Sequence, residues 1–368
     1  MRAAAALHWG YPADRRTLLE VIQDRERRGE RILPLFLYQD ALTTDGTGKV
    51  RSKLAVEGRE LMPFGSISRV PTISDSEIGY WVEYVSDRYG FRNPDEVWDK
   101  PAEIVLLGDS FTFGSSVPRE KHFAGMLAQR YNVVNLGFPA AGPLGYYATL
   151  VEYGASLKPK HVFLFFTEAN DMKNIGDDAE HPMLLDYLRN GFRQGLRELQ
   201  PRIDREAKAY IDALRREEEA RPKVGRFGVA DLLLLRKLRE QLGIVAFTDR
   251  WRRPPPEQYP DLLSELLSKT RDEVKGWGGR FHVVYLPAWN RGRDVNGVLP
   301  HYEETRQLVK ATNERLGIPF IDTTPAFEQH PTPEQLNAYP GKRGGHYSTL
   351  GYGLVGTLLL EYLARQAN

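Results

Sequence analysis

The sequence predicts an α/β domain of three layers, with a five-stranded parallel sheet held between two sets of helices. From residue 103 onward, short apolar runs of strand length alternate with segments of helical periodicity, which is the pattern of βαβ units. Five such runs can be counted, enough to build the central layer. The chain has 368 residues and is 41% hydrophobic, which suffices for one sizeable core plus a substantial excursion.

Residues 14–29, DRRTLLEVIQDRERRG, place apolar side chains at helical spacing and stop at Gly29, so a surface helix is expected there. Residues 31–100 follow as short β-leaning runs, ILPLFLY and GYWVEYVS among them, separated by Gly, Pro, Asp and Ser clusters that signal turns. Residues 1–100 are therefore expected to form a β-rich appendage packed on a core of residues 101–368. The core strands are EIVLLG (103–108), NVVNLG (132–137), HVFLFF (161–166), FHVVYL (281–286) and PFIDT (319–323). Helices are expected near 120–130, 144–157, 301–316 and 349–366. A charge-rich, helix-leaning insertion at about 172–278 is unusually long for a crossover. Its charge runs read first as solvated helix faces, and second as a cap that shapes a cleft.

Bulk charge excludes some partners. The chain carries 50 basic and 49 acidic residues, so no global field points to nucleic acid or an anionic membrane. No run approaches the roughly 20 apolar residues of a membrane span, and the opening MRAAAALHWGYPADRR is poorly built for a signal peptide. A soluble protein is expected, its compartment left open. With 0 cysteines, disulfides, thiolate metal sites and cysteine nucleophiles are excluded. His122, His161, His181, His282 and His330 show no metal-ligand spacing with nearby acids, so neither a catalytic metal nor a cofactor is expected.

Chemistry concentrates where strands end. Gly108-Asp109-Ser110 closes the first core strand, at the sheet edge where parallel α/β folds bind ligands. Such a serine exposes its hydroxyl and sets its N–H at a helix start, so it can supply both a nucleophile and an oxyanion donor; an ordinary helix cap has the same local sequence. Gly137, in NLGFPAAG, ends the second strand, where it can offer a backbone N–H or merely shape a turn. Asn170, in FFTEAND, ends the third, and its side-chain amide can donate to an oxyanion without adding charge. His346, in GKRGGHYSTLGYG, precedes the last helix; an imidazole is the base that a serine hydroxyl needs near neutral pH. Trp289 and Asn290 follow the fourth strand and could contact a sugar face and a hydroxyl, or Trp289 could simply cover the sheet.

Taken together, Ser, Gly and Asn at successive strand ends, with His before the last helix, resemble the SGNH or GDSL hydrolases. The resemblance covers about half the chain. It implies a flavodoxin-like α/β/α domain in which Ser110 is the nucleophile and His346 the base, with Ser110, Gly137 and Asn170 as the oxyanion hole. The stretch PFGSISRVPTISDSEIGYWVEYVSDRYGFRNP also resembles bacterial members linked to cell-surface glycan modification. One departure stands out: where the family places an aspartate two or three residues before the histidine, this chain has Gly344 and Arg343. A Ser–His dyad is the expectation, with Asp322, Glu328 or a backbone carbonyl as other partners for Nδ1.

The expected activity is removal of small acyl groups, acetyl foremost, from an O-acylated carbohydrate through an acyl-Ser110 intermediate. An O-acyltransferase would share every residue, because an alcohol can replace water in resolving the acyl-enzyme. A non-catalytic glycan-binding module is the reading from a different class. The expected partner is a small-molecule or glycan ester.

Overall fold

The computed structural model describes residues 10, 13–46, 50–219, 258–289, 291, 302–339 and 345–367. The first helix, Leu18–Arg27, starts at Thr17, whose hydroxyl accepts from the Glu20 N–H while the Glu20 side chain reaches back to Thr17 N. That reciprocal capping box fixes the start four residues inside the expected segment.

Seven short strands follow: β1 (Leu33–Pro34), β2 (Leu42–Thr44), β3 (Val50–Ser52), β4 (Ala55–Val56), β5 (Arg59–Glu60), β6 (Pro71–Ile73) and β7 (Glu83–Val85). β2–β3 and β4–β5 are hairpins, while β1, β6 and β7 form a small mixed sheet. The central sheet then comprises β8 (Ile104–Leu107), β9 (Val133–Asn135), β10 (His161–Thr167), β11 (Arg280–Leu286) and β12 (Phe320–Asp322). Its order is β12-β11-β10-β8-β9, and every pairing is parallel. This is the flavodoxin-like order, with its switch point between β8 and β10.

The strands are apolar throughout because both faces are covered. Val105, Leu107, Val162, Leu164, Phe166, Val283 and Tyr285 point into one core, and Ile104, Leu106, Phe163, Phe165, Val284 and Leu286 into the other. Helix Thr349–Ala367 packs on the second face through Tyr352, Val355, Leu359 and Leu363. Helix Gln258–Gly276 buries Leu263, Leu266 and Leu267 on the first, each worth about 2 kcal/mol relative to exposure. Phe36, Tyr38, Leu61, Phe64 and Phe91 belong to that same first core, so the segment before residue 101 shares a core with one face of the sheet.

The long insertion contributes helices Asp171–Ala179, Pro182–Asn190 and Leu196–Glu219. The last is not simply solvated. Its Asp204 accepts from Ser68 N and Oγ at 2.9 and 2.6 Å, and its Arg215 pairs with Glu26 at 2.6 Å. Polar residues on this helix thus tie it to the N-terminal segment. Among the described residues, no helix is long and apolar enough to cross a membrane, and no His, Cys, Asp and Glu group is arranged to hold a metal ion.

Candidate active site

β8 delivers Gly108 and Asp109 to the sheet edge, and Ser110 opens the short helix Ser110–Phe113. A Cβ on Gly108 would lie 2.1 Å from Thr112 Oγ1, so only glycine lets the chain turn this tightly. Asp109 caps the helix by accepting from Phe111 N at 2.9 Å. The same carboxylate, fully buried, accepts from Thr167 Oγ1 at 3.2 Å and from Asn170 Nδ2 at 3.0 Å. Burial raises its pKa above the usual carboxylate range, while these donors oppose the rise.

Asn170 ends the turn after β10 and leads into helix Asp171–Ala179. Because Asp109 needs a donor, the amide presents Nδ2 to it, which leaves Asn170 Oδ1 buried without a partner among the described residues. One Nδ2 hydrogen therefore remains for another acceptor. Asp171 lies behind this turn, accepting from Thr167 N and Tyr146 Oη at 2.8 Å each. Burial, with Asp109 nearby, pushes Asp171 well above the ordinary aspartate range.

His346 meets Ser110 directly, with Nε2 2.7 Å from Ser110 Oγ. Gly345, at φ 102°, turns the chain into this position; a Cβ there would strike the Tyr339 ring at 2.6 Å. Tyr347, buried next door, donates its hydroxyl to Pro287 O at 2.7 Å, and the Phe111 ring lies 4.9 Å from the imidazole. The imidazole is thus held from two sides.

The other ring nitrogen corrects the dyad expectation. His346 Nδ1 lies 2.9 Å from Glu77 Oε2, and the His346 backbone N–H donates to the same oxygen at 3.0 Å. A carboxylate facing Nδ1 assigns the proton to that nitrogen and leaves Nε2 to accept from Ser110. Neither Asp322 nor Glu328 is the partner: Asp322 pairs with Arg306 at 2.6 Å and Glu328 with Arg291 at 3.0 Å. Arg343 and Gly344 lie outside the described residues. Glu77 sits between β6 and β7, in ISDSEIG, where no spacing to a histidine advertises it. The one local signal was Asp75 and Glu77 together in a turn between strand-like runs.

Gly137 also departs from expectation. Its N–H donates to Asn135 Oδ1 at 2.9 Å, so that amide is already engaged. Glycine is needed there for another reason, since a Cβ would lie 2.4 Å from Phe113 N in the helix that Ser110 opens. The exposed residue of the same loop is Ala140, held at φ 63°. Trp289, half-buried, follows β11 at the same sheet edge, and Ala288 N beside it donates to Glu168 Oε2 at 2.8 Å. Asn290 lies outside the described residues.

Solved structures similar to this chain are an alpha/beta hydrolase enzyme from the metagenome of Lake Arreo, Spain (16% identity, TM-score 0.40, covering 71% of this chain and 94% of that one), a lipase/acylhydrolase from Enterococcus faecalis (15%, 0.38, 72% and 95%), and a member of the lipolytic protein G-D-S-L family from Veillonella parvula (16%, 0.38, 71% and 98%). No protein-family model and no curated protein matches the chain.

Proposed function

We propose that this protein is a serine ester hydrolase, with Ser110 as nucleophile, His346 as general base and Glu77 as the carboxylate that orients the base. The observation that carries the reading is the unbroken line Ser110 Oγ to His346 Nε2 at 2.7 Å and His346 Nδ1 to Glu77 Oε2 at 2.9 Å. These are the roles and distances of a triad. A serine that only capped a helix would need neither contact.

On this reading, Ser110 Oγ attacks the ester carbonyl as its proton passes to His346 Nε2. Glu77 stabilises the imidazolium so formed. The tetrahedral oxyanion is met by the Ser110 N–H, the leading amide of its helix, and by the remaining Nδ2 hydrogen of Asn170. His346 then protonates the departing alcohol, and water repeats the sequence to free the acid.

The finer assignment is to small acyl groups, acetyl foremost, on a carbohydrate. Half-buried Trp289 supports it, as an aromatic surface at the same sheet edge on which a sugar ring stacks. The stretch before residue 101 then belongs to the catalytic apparatus, because it carries Glu77. The test is turnover of p-nitrophenyl acetate by wild type beside Ser110→Ala and His346→Ala. Loss in both variants is expected; equal rates in all three proteins would overturn the reading.

A further inference from the structure

We propose that Ser116 is a positioning residue for this site, holding the Glu77 carboxylate at the distance His346 requires; the inference rests on the serine-hydrolase reading above. Glutamate has a long side chain with freely rotating bonds, and Glu77 comes from a loop outside the central sheet. Among the described residues, its Oε2 meets His346 N at 3.0 Å, His346 Nδ1 at 2.9 Å and Ser116 Oγ at 3.0 Å. Two of these belong to the base itself. Ser116 alone among them ties the acid to the nucleophile's side of the site.

Everything around Ser116 fixes it there. Ser115 N donates to Ser110 O at 3.0 Å, joining this loop to the nucleophile's own helix. The buried Arg92 clasps the loop on both sides of Ser116, with Nη1 on Gly114 O at 2.6 Å and Nη2 on Val117 O at 2.8 Å. Ser116 is fully buried and sits at φ 71°, a left-handed conformation that a glycine would adopt without strain. A serine kept in a glycine's conformation points to its hydroxyl as the reason. That hydroxyl also contacts Asp75 Oδ1 at 2.9 Å, so its one hydrogen lies between two carboxylates of the same loop. Asp75 and Glu77 converge on Ser116 from two residues apart, and the acid's carboxylate cannot swing without breaking this clasp.

The test uses the full chain as wild type, Ser116→Gly, Ser116→Ala, Glu77→Gln and the double variant combining Ser116→Ala with Glu77→Gln. Melting temperature, kcat and KM on p-nitrophenyl acetate, and the rate of Ser110 phosphonylation by a fluorophosphonate are read for each. Removing the hydroxyl should lower kcat and the phosphonylation rate about tenfold, on the scale of one hydrogen bond to a charged acceptor, with KM unchanged. Ser116→Gly should melt no lower than wild type, because it relieves the backbone. In the Glu77→Gln background, Ser116→Ala should cost nothing further. Wild-type rates in Ser116→Gly, a loss that tracks melting temperature, or an equal loss in the Glu77→Gln background would each overturn the proposal while leaving the triad intact. A wild type that is not phosphonylated at Ser110 would overturn the hydrolase reading itself, and this inference with it.

Discussion

Glu77 and His346 are separated by 269 positions in the chain, yet Glu77 Oε2 receives both the Nδ1 and the backbone N–H of His346. The double contact holds the ring orientation and the loop at once. Glu77→Gln should therefore leave the fold unchanged and lower kcat on p-nitrophenyl acetate by about 10²- to 10⁴-fold, the upper figure being that of a neutralised triad aspartate. Asp322→Asn and Glu328→Gln, whose carboxylates face Arg306 and Arg291, should stay within threefold of wild type. A larger loss in Asp322→Asn than in Glu77→Gln would reassign the acid.

Asn170 donates through Nδ2 to the buried Asp109 carboxylate, next to Ser110 in the chain. Asn170→Asp would set a second carboxylate 3.0 Å from the buried Asp109 oxygen and remove both amide hydrogens. A fall in kcat of about 10²- to 10³-fold is expected, as for loss of one oxyanion donor. Asn170→Ala should lose a comparable factor without the charge conflict, and so melt higher than Asn170→Asp. Full activity in Asn170→Ala would remove this side chain from the mechanism.

Gly137→Ala separates packing from chemistry. Its new methyl would meet the Phe113 and Thr112 backbone, which cannot yield as a flexible side chain can. The expected result is destabilisation of about 3 kcal/mol by denaturant unfolding, at the upper end for overpacking. Unchanged stability with lost activity would instead restore the oxyanion role expected from sequence.

Two buried groups give opposite pH signatures. His122 accepts from Ala124 N through Nδ1 and meets Phe111 O through Nε2, an arrangement that suits the neutral ring, and burial pushes its pKa down to about 3. An unfolded histidine titrates near about 6.5, so between those values the unfolded state binds the extra proton and acid weakens the fold. Wild type should thus lose stability relative to His122→Gln as pH falls through this window. Asp178 behaves in reverse: burial pushes it up to about 7, although Leu144 N and Gly145 N donate to it. Its contribution is present below the unfolded value near about 3.9 and is lost as pH rises through about 7. Above pH 7, Asp178→Asn should gain stability relative to wild type. Melting curves from pH 4 to 9 decide both signs.

The sheet was legible because its strands are buried on both faces, so HVFLFF and FHVVYL carry continuous apolar runs that few other settings explain. That Ser110 and His346 would meet, with Asn170 at the same sheet edge, was foreshadowed because each sits at an element boundary with a local motif. Glu77 was not, since what sets it against His346 is a tertiary contact, and the pair of acids Asp75 and Glu77 in a turn is all that ISDSEIG offers. Gly137 misled for a physical reason: glycine looks the same in sequence whether its amide faces a ligand or its α-carbon is crowded by another backbone. The charged stretch 196–219 misled similarly, because Asp204 and Arg215 resemble solvated residues until their partners Ser68 and Glu26 are brought against them.

Glu77 lies in the first quarter of the chain and His346 in the last tenth, with β8 and Ser110 between them. A ribosome therefore makes Glu77 before Ser110, and His346 well after both. At about 5–20 residues per second, tens of seconds of synthesis separate Ser110 from His346. On the proposed assignment, chains that terminate between Ser110 and His346 would carry the nucleophile without its base, so such products are expected to be inert.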